Sequence, residues 1–129
     1  MIEYDIIAAV KADSTLNTLI GGRIYPNQIK QGNTYPMVAL LMNEKEPMSG
    51  QLGICARAFD ALFAVSSTSR KECLVIGERL IALFNKNAGV MGDSNVLVFK
   101  YVGTGLDALQ NDTMLYYIGY EFEILTNIN

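Results

Sequence analysis

The sequence predicts an α+β fold, in which a mixed or antiparallel sheet of four to five strands carries two helices packed on it. Two segments have apolar residues at helical spacing, and the other apolar segments alternate or run continuously as strands do. Turn residues separate these segments and place them in the order α-β-β-β-α-β-β. Because 129 residues is the length of one ordinary domain, we expect a single α+β domain over residues 1–129.

The first predicted helix covers residues 2–12, where apolar residues recur at helical spacing: Ile2, Ile6, Ile7 and Val10. Residues 13–14 can cap a following helical turn. That turn ends at Gly21-Gly22, because glycine adopts the left-handed conformation that is common at helix ends. A short strand is predicted at residues 23–25, and it stops at Pro26.

The middle of the chain is predicted to form two long strands joined by a loop. The run from Met37 to Met42 is apolar throughout, which indicates a strand covered on both faces. Residues 43–53 contain one proline and two glycines, so we interpret them as an eleven-residue loop, and long loops tend to be functional. The next strand covers residues 54–65, and Asp60 interrupts one of its apolar faces.

The second helix is the most strongly marked element. Ser69 and Glu72 form a capping box, in which the serine hydroxyl accepts from a helical N–H and the glutamate reaches back. The helix is predicted to run to about Lys86. Gly77 lies inside it and costs about 1 kcal/mol relative to alanine. Close approach of the helix to the sheet or to another helix would explain this glycine, and so would drift at a tolerant site.

Two more strands, residues 96–102 and 114–125, complete the predicted sheet. Residues 103–112 are interpreted as a second long loop between them. The segment from Gly103 to Ala108 has the G-x-G-x-x-A spacing of a dinucleotide-binding turn, but the helix that phosphate binding requires has no room to follow it. A hairpin loop is the better interpretation.

Composition and charge argue against several classes of function. The net charge of −3 and the pI near 4.8 argue against a protein that binds nucleic acid by neutralising phosphates. Histidine is absent, which removes the usual general base and the commonest metal ligand, so we expect no enzyme, no metal and no other cofactor. The first residues lack an export signal and no apolar run is long enough to span a membrane, so a cytoplasmic protein is expected.

Several motifs, taken in order, resemble those of one known family. The sequence Gly21-Gly22-Arg23-Ile24-Tyr25-Pro26 is followed by a polar loop, then by Tyr35-Pro36 and an apolar strand. Arg57–Phe63 precedes the central helix, and Tyr120–Ile124 forms the closing strand. This arrangement is similar to that of the tail-completion, or tail-terminator, proteins of long-tailed phages. The chain departs from the usual pattern at residues 43–53, where two acids flank Lys45.

The resemblance implies a structural protein without enzymatic activity. Proteins of that family form a ring, commonly of six subunits, that caps the tail tube at its final length and docks to the head connector. The implied partners are other copies of the chain, the tail-tube protein and the head–tail connector protein. DNA would pass through the ring without specific binding, and no membrane is involved. The implied location is the host cytoplasm during assembly and then the tail and neck of the virion.

Three groups of residues are candidates for that role. The candidate assembly loop consists of Glu44, Lys45, Glu46, Pro47 and Met48. The candidate lumen acids, which would repel DNA phosphates or are simply solvated loop charges, are Glu44, Glu46, Asp107 and Asp112. The candidate interface residues are Asp60, Tyr116 and Tyr120, and cross-strand aromatic packing is the alternative role of the two tyrosines. Asp60 is either a solvated carboxylate or the partner of an arginine in a neighbouring subunit: Arg23, Arg57 or Arg79.

Two other classes of function stay open on the sequence. A tail-tube or minor capsid subunit would share the assembly contacts but would polymerise into filaments, which electron microscopy distinguishes from a single ring. A small-molecule-binding α+β domain would be monomeric or dimeric and would have a concave pocket. Size-exclusion chromatography distinguishes that class from a ring.

Overall fold

The sheet is mixed, and it carries the helices on one of its faces. The computed structural model describes residues 2–26, 34–45, 48–50, 53–110 and 114–127. The helices are α1 (Ile2–Ala12), α2 (Ser14–Ile20) and α3 (Arg70–Phe84). The strands are β1 (Ile24–Pro26), β2 (Met37–Glu44), β3 (Met48–Gly50), β4 (Gly53–Ser67), β5 (Gly89–Met91), β6 (Ser94–Gln110) and β7 (Leu115–Asn127).

The strand order across the sheet is β1-β2-β4-β7-β6-β5, and β3 pairs with β4 outside this path. Strands β1 and β2 run parallel, while the other described pairs are antiparallel. The predicted α+β class with a mixed sheet is therefore confirmed. Within the described residues the sheet has seven strands rather than four to five, because β3 and β5, each three residues long, were not predicted.

The capping box at the start of α3 is present in a modified form. The hydroxyl of Ser69 accepts from the backbone N–H of Glu72 at 3.3 Å. The second half of the box runs through Ser67, because Ser67 donates to the Glu72 carboxylate at 2.5 Å and accepts from the Ser69 N–H at 3.1 Å. The helix ends at Phe84, and Asn85 is its C-terminal cap.

The core lies between the sheet and the three helices, and four phenylalanines form its centre. Phe84 of α3 stacks on Phe63 of β4, with ring centroids 5.6 Å apart, and on Phe99 of β6, with centroids 4.7 Å apart. Phe122 on β7 packs edge to face with Phe63 and with Phe99, with ring centroids 5.4 and 5.5 Å apart. The helix and the three longest strands are therefore held together by one aromatic cluster.

The predicted loop at residues 103–112 was wrong over most of its length, because β6 continues to Gln110. The two glycines that indicated a loop lie next to shifts in the register between β6 and β7, one between Tyr101 and Gly103 and one between Thr104 and Leu106. Such bulges bend a strand without ending it. Gly105 also leaves space for the Glu121 carboxylate, which a Cβ at that position would meet.

The predicted eleven-residue loop at residues 43–53 was also wrong in part. Strand β2 continues through Asn43 to Glu44, and β3 pairs with the beginning of β4. Gly50 lies opposite Gly53, so the glycines that indicated a loop belong to paired strands. Alternation cannot show a strand as short as three residues.

Asp13 joins two helices through its single carboxylate. It is the N-cap of α2 and accepts from the Leu16 N–H at 3.0 Å. The guanidinium of Arg79 on α3 donates two hydrogen bonds to the same carboxylate, at 3.0 and 2.5 Å. These bonds from Arg79, together with the one from Leu16, hold the pKa of Asp13 below its ordinary value.

Replacing Asp13 with alanine is expected to lower the free energy of unfolding by about 1–2 kcal/mol, because the cap of α2 is lost. Asp13→Asn is the matched control, since asparagine keeps the cap acceptor but has no charge. A lowered pKa means that the carboxylate stabilises the fold at neutral pH, and that this contribution is lost as the pH falls through about 4 and below. In urea unfolding, the difference between the wild type and Asp13→Asn should shrink between pH 7 and pH 3. A difference that stays constant over this range would contradict the role of the charge.

Candidate assembly surface

The three helices leave one face of the sheet open in the described part of the chain. On β4, Phe59, Ala61 and Phe63 point into the core with the helices. Because side chains alternate along a strand, Asp60 and Leu62 point to the opposite side. We call this side the helix-free face, and it presents Leu41, Asn43, Asp60, Leu62, Glu121 and Glu123.

A row of charged side chains crosses the middle of the helix-free face. Asp60 on β4 lies directly opposite Glu123 on β7. Like charges at opposite positions destabilise a sheet. Lys45 offsets this repulsion, because its ammonium group lies 3.2 Å from the Asp60 carboxylate and 3.9 Å from that of Glu123. Lys100 on β6 extends the row on the other side of Glu123.

A second ion pair lies at the end of β2. Arg57 donates two hydrogen bonds to the carboxylate of Glu44, both at 2.7 Å, and its guanidinium lies 5.3 Å from the centroid of the Phe59 ring. These bonds hold the pKa of Glu44 below its ordinary value. Both side chains are exposed, so the pair fixes their orientation more than it stabilises the fold.

A shallow trough of about 300 Å³ runs beside the charged row. Leu41, Leu62 and Val102 line it with apolar surface, and Asp60, Glu121 and Glu123 line it with carboxylates. Val102 is 52% exposed, which is unusual for a valine within a long strand. The trough therefore combines an apolar lining with three carboxylates.

The structure places only part of the candidate assembly loop and of the candidate lumen acids. Glu44 ends β2, Lys45 follows it, and Met48 begins β3. Glu46, Pro47 and Asp112 lie outside the described residues. Asp107 is a strand residue opposite Ile118, so it does not belong to a loop.

Two of the expected interface residues have partners within the chain. Tyr120 is buried in the core, and its hydroxyl donates to the carbonyl of Cys73 on α3 at 3.2 Å, so this side chain packs within the chain. Asp60 is exposed and pairs with Lys45 rather than with an arginine. Tyr116 is partly buried against the core.

The arginines that were considered as partners for Asp60 are engaged elsewhere. Arg57 binds Glu44, Arg79 binds Asp13, and Arg23 donates from its Nε to the carbonyl of Pro36 at 2.8 Å. Within the chain Asp60 is therefore an exposed carboxylate paired with a lysine, and an arginine of a neighbouring subunit as its partner stays a prediction.

Glu121 and Glu123 were not among the sequence candidates, although they belong to the charged row. The alternation of the last strand placed both on the face opposite to the aromatic residues, and that signal could have found them. Their proximity to Asp60 was not visible, because it depends on the pairing of β4 with β7.

Within residues 2–26, 34–45, 48–50, 53–110 and 114–127, no group of three acidic or cysteine side chains is placed to hold a metal ion. None of the described helices is long and apolar enough to cross a bilayer.

The same fold occurs in a chain of a solved structure described as "Virion of native gene transfer agent (GTA) particle". The match has a TM-score of 0.74 and covers 95% of this chain and 92% of that chain, with 12% sequence identity. At this identity the likeness shows a shared fold. No protein-family model matches the sequence, and no curated protein is significantly similar to it.

Proposed function

We propose that the protein is a structural subunit of a phage-like particle, and that within the particle it is the tail-completion, or terminator, protein. The observation that carries the first part is the fold shared over 95% of the chain with a component of a gene transfer agent virion. The second part is supported by the sequence motifs, which resemble the tail-completion family. Both parts of the proposal describe a protein that works by assembly, without catalysis and without a cofactor.

In the proposed mechanism, copies of the chain form a ring on the end of the tail tube. One face of the ring copies the contact between tube subunits and stops further growth, and the other face receives the head–tail connector. Such a ring requires a head-to-tail contact that closes on itself. Assembly takes place in the host cytoplasm, and the ring then remains in the tail and neck of the virion.

Removing the gene from a strain that produces the particles tests this function. We expect filled heads and separate tails, many of them longer than normal, with joining restored when the gene is supplied in trans. Electron microscopy of the particles and of the purified protein provides the measurement. Normal particles without the protein would contradict the proposal, and filaments of the purified protein would favour a tail-tube subunit instead.

The proposed ring also gives the charges of the helix-free face a role. Genome DNA must slide through the ring, and a wall of carboxylates repels phosphates, whereas clustered lysines hold them by releasing counterions. Glu121 and Glu123 are exposed on the helix-free face, next to Asp60, and these three acids outnumber the two lysines of the charged row, Lys45 and Lys100. We propose that this face lines the channel, and that these three acids replace the loop acids predicted from the sequence.

The double variant Glu121→Lys, Glu123→Lys is expected to assemble into particles but to release DNA several-fold more slowly, because the wall then attracts phosphates. The delay should weaken as salt is raised. Ejection triggered in vitro and followed with a DNA-binding dye gives the rates. Glu78→Lys, an exposed change on the outer side of α3, is the control and should eject DNA at the wild-type rate. Equal rates for all three particles would place the helix-free face outside the channel.

A further inference from the structure

A small surface beside β6 is apolar in its middle and basic at its rim. It surrounds a cavity of about 320 Å³, which is lined by Lys86, Ala88, Leu97, Val98, Phe99 and Lys100. We call these six residues the basic flank. Leu97 is 45% exposed and Val98 is 39% exposed, and both lysines are exposed. Exposed apolar side chains that are grouped together within a polar rim mark an interaction surface.

Lys86 is the cation of the basic flank that lacks an acid within the chain. Lys100 lies opposite Glu123 in the sheet. No carboxylate among the described residues is ion-paired with Lys86. Its backbone is in the left-handed region, with a φ of 62°, and its N–H donates to the carbonyl of Phe99 at 2.7 Å. The base of this side chain is therefore fixed on β6, while its ammonium group is left for a partner.

A second cavity, of about 340 Å³, lies where α1 begins and β2 ends. It is lined by Ile2, Glu3, Met42, Glu44, Arg57 and Phe59, and we call these six residues the acidic pocket. Glu44 and Arg57 balance each other, because the guanidinium donates two hydrogen bonds to the carboxylate. Glu3 is therefore the acid of the pocket whose charge is not balanced by another lining residue.

One oxygen of Glu3 lacks a hydrogen-bond donor. Its Oε1 atom is buried, and nothing in the described part of the chain donates to it. A buried carboxylate oxygen without a donor costs free energy, and most buried polar atoms in folded proteins are paired. A cation from outside the chain would supply the missing donor.

The basic flank and the acidic pocket are complementary in their chemistry. A lysine carries its ammonium group on a four-carbon apolar stem. The stem of Lys86 fits the apolar wall that Met42 and Phe59 give the acidic pocket, and its ammonium group fits the carboxylate of Glu3. Complementary charges of this kind select one partner surface and one orientation.

The two surfaces share no residue, and β7 separates β6 from β4 in the sheet. Each copy of the chain can therefore use both surfaces at once, one with each neighbour. A contact between two unlike surfaces is head-to-tail, and it repeats from copy to copy until a ring closes.

We propose that the basic flank of one copy docks against the acidic pocket of the next copy, with the ammonium group of Lys86 beside Oε1 of Glu3. The partner is a second copy because the acid without a donor and the base without an acid belong to the same chain. This contact is the head-to-tail contact of the ring, so it rests on the proposed function.

Charge exchange tests the contact. Lys86→Glu and Glu3→Lys are each expected to raise the protein concentration needed for half-assembly by about tenfold or more, because like charges then meet. The double variant should recover assembly, because it restores an opposite pair in reversed order. Lys71→Glu makes the same charge change at an exposed position of α3 and is the matched control. Sedimentation velocity and native mass spectrometry at matched concentrations give the species.

Leu97→Asp tests the apolar part of the same contact. Because Leu97 is 45% exposed, the variant should fold, but it should raise the concentration for half-assembly in the same way. Circular dichroism and thermal melting establish that each variant is folded. Glu3 lies in the first turn of α1, so Lys86→Glu and Leu97→Asp decide the result if Glu3→Lys unfolds.

The outcomes separate this contact from the proposed function. A wild-type ring that neither Lys86→Glu nor Leu97→Asp disturbs overturns the contact and leaves the proposed function standing. A folded double variant that does not recover assembly also overturns it, because the basic flank then meets an acid other than Glu3. Wild-type protein that stays monomeric at millimolar concentration overturns both the contact and the ring.

Discussion

Replacing Gly77 with alanine is expected to lower the free energy of unfolding by about 2 kcal/mol, although alanine is the better helix former by about 1 kcal/mol. Gly77 lies in the middle of α3, where the helix crosses β7. A Cβ at this position would overlap the ring and the hydroxyl of Tyr120. Tyr120 is buried and holds its hydrogen bond to Cys73, so it can move aside only by leaving the core.

Two further variants identify the cause of this loss. Ala82→Gly changes an exposed position of the same helix and should cost about 1 kcal/mol, which is the effect of helix propensity alone. In a Tyr120→Leu background, Gly77→Ala should become neutral or stabilising, because the overlap is gone and the two changes are coupled. Urea unfolding of the four proteins completes the cycle. If Gly77→Ala destabilises both backgrounds equally, the close approach is not the reason for the glycine.

Truncating Phe84 to alanine is expected to lower the free energy of unfolding by about 3–5 kcal/mol, which is a large share of the stability of a domain of this size. The ring is fully buried between Phe63 and Phe99 and joins α3 to the sheet. The cavity would open inside one close-packed cluster of rings, where neighbours on three strands cannot all collapse into it.

Val75→Ala is the matched control for Phe84→Ala, because Val75 lies on the same helix and is 41% exposed. It should change the free energy of unfolding by about 0.5 kcal/mol or less. Thermal and urea unfolding, monitored by far-ultraviolet circular dichroism, give both values. Similar losses for the two variants would mean that α3 is held by contacts spread along its length and not by the aromatic cluster.

Helix α3 and the long strands could be predicted because their signals are local. A serine cap, a glutamate three residues later and an apolar face define the helix, and alternation defines β7. Strand β6 could not be predicted in full, because two glycines near its middle also fit a loop. Pairing with β7 compensates for these glycines, and partner residues that lie 5 to 30 positions away in sequence are invisible to a local pattern.

Gly77 and Tyr120 show how two local irregularities can explain each other. In the sequence, the glycine fitted a close approach of α3 to the sheet or to another helix, or drift, while the tyrosine was a candidate for an interface or for cross-strand packing. In the structure the tyrosine occupies the space that the glycine leaves, so one contact accounts for both residues. The charged row is likewise explained by contacts between residues that are far apart in sequence. Asp60, Glu123 and Lys45 are distant in sequence, and only the order of the strands brings them together.

The position of β7 has a consequence for the synthesis of the protein. The ribosome makes this strand after β4 and β6, yet it lies between them in the sheet. A nascent chain that has not reached Leu115 therefore has two long strands with no central partner, and its aromatic cluster lacks Phe122. Folding must wait for that last segment, because a domain folds as a cooperative unit. A truncated subunit would accordingly be left unfolded for proteases to remove, and would not be built into a particle as a defective part.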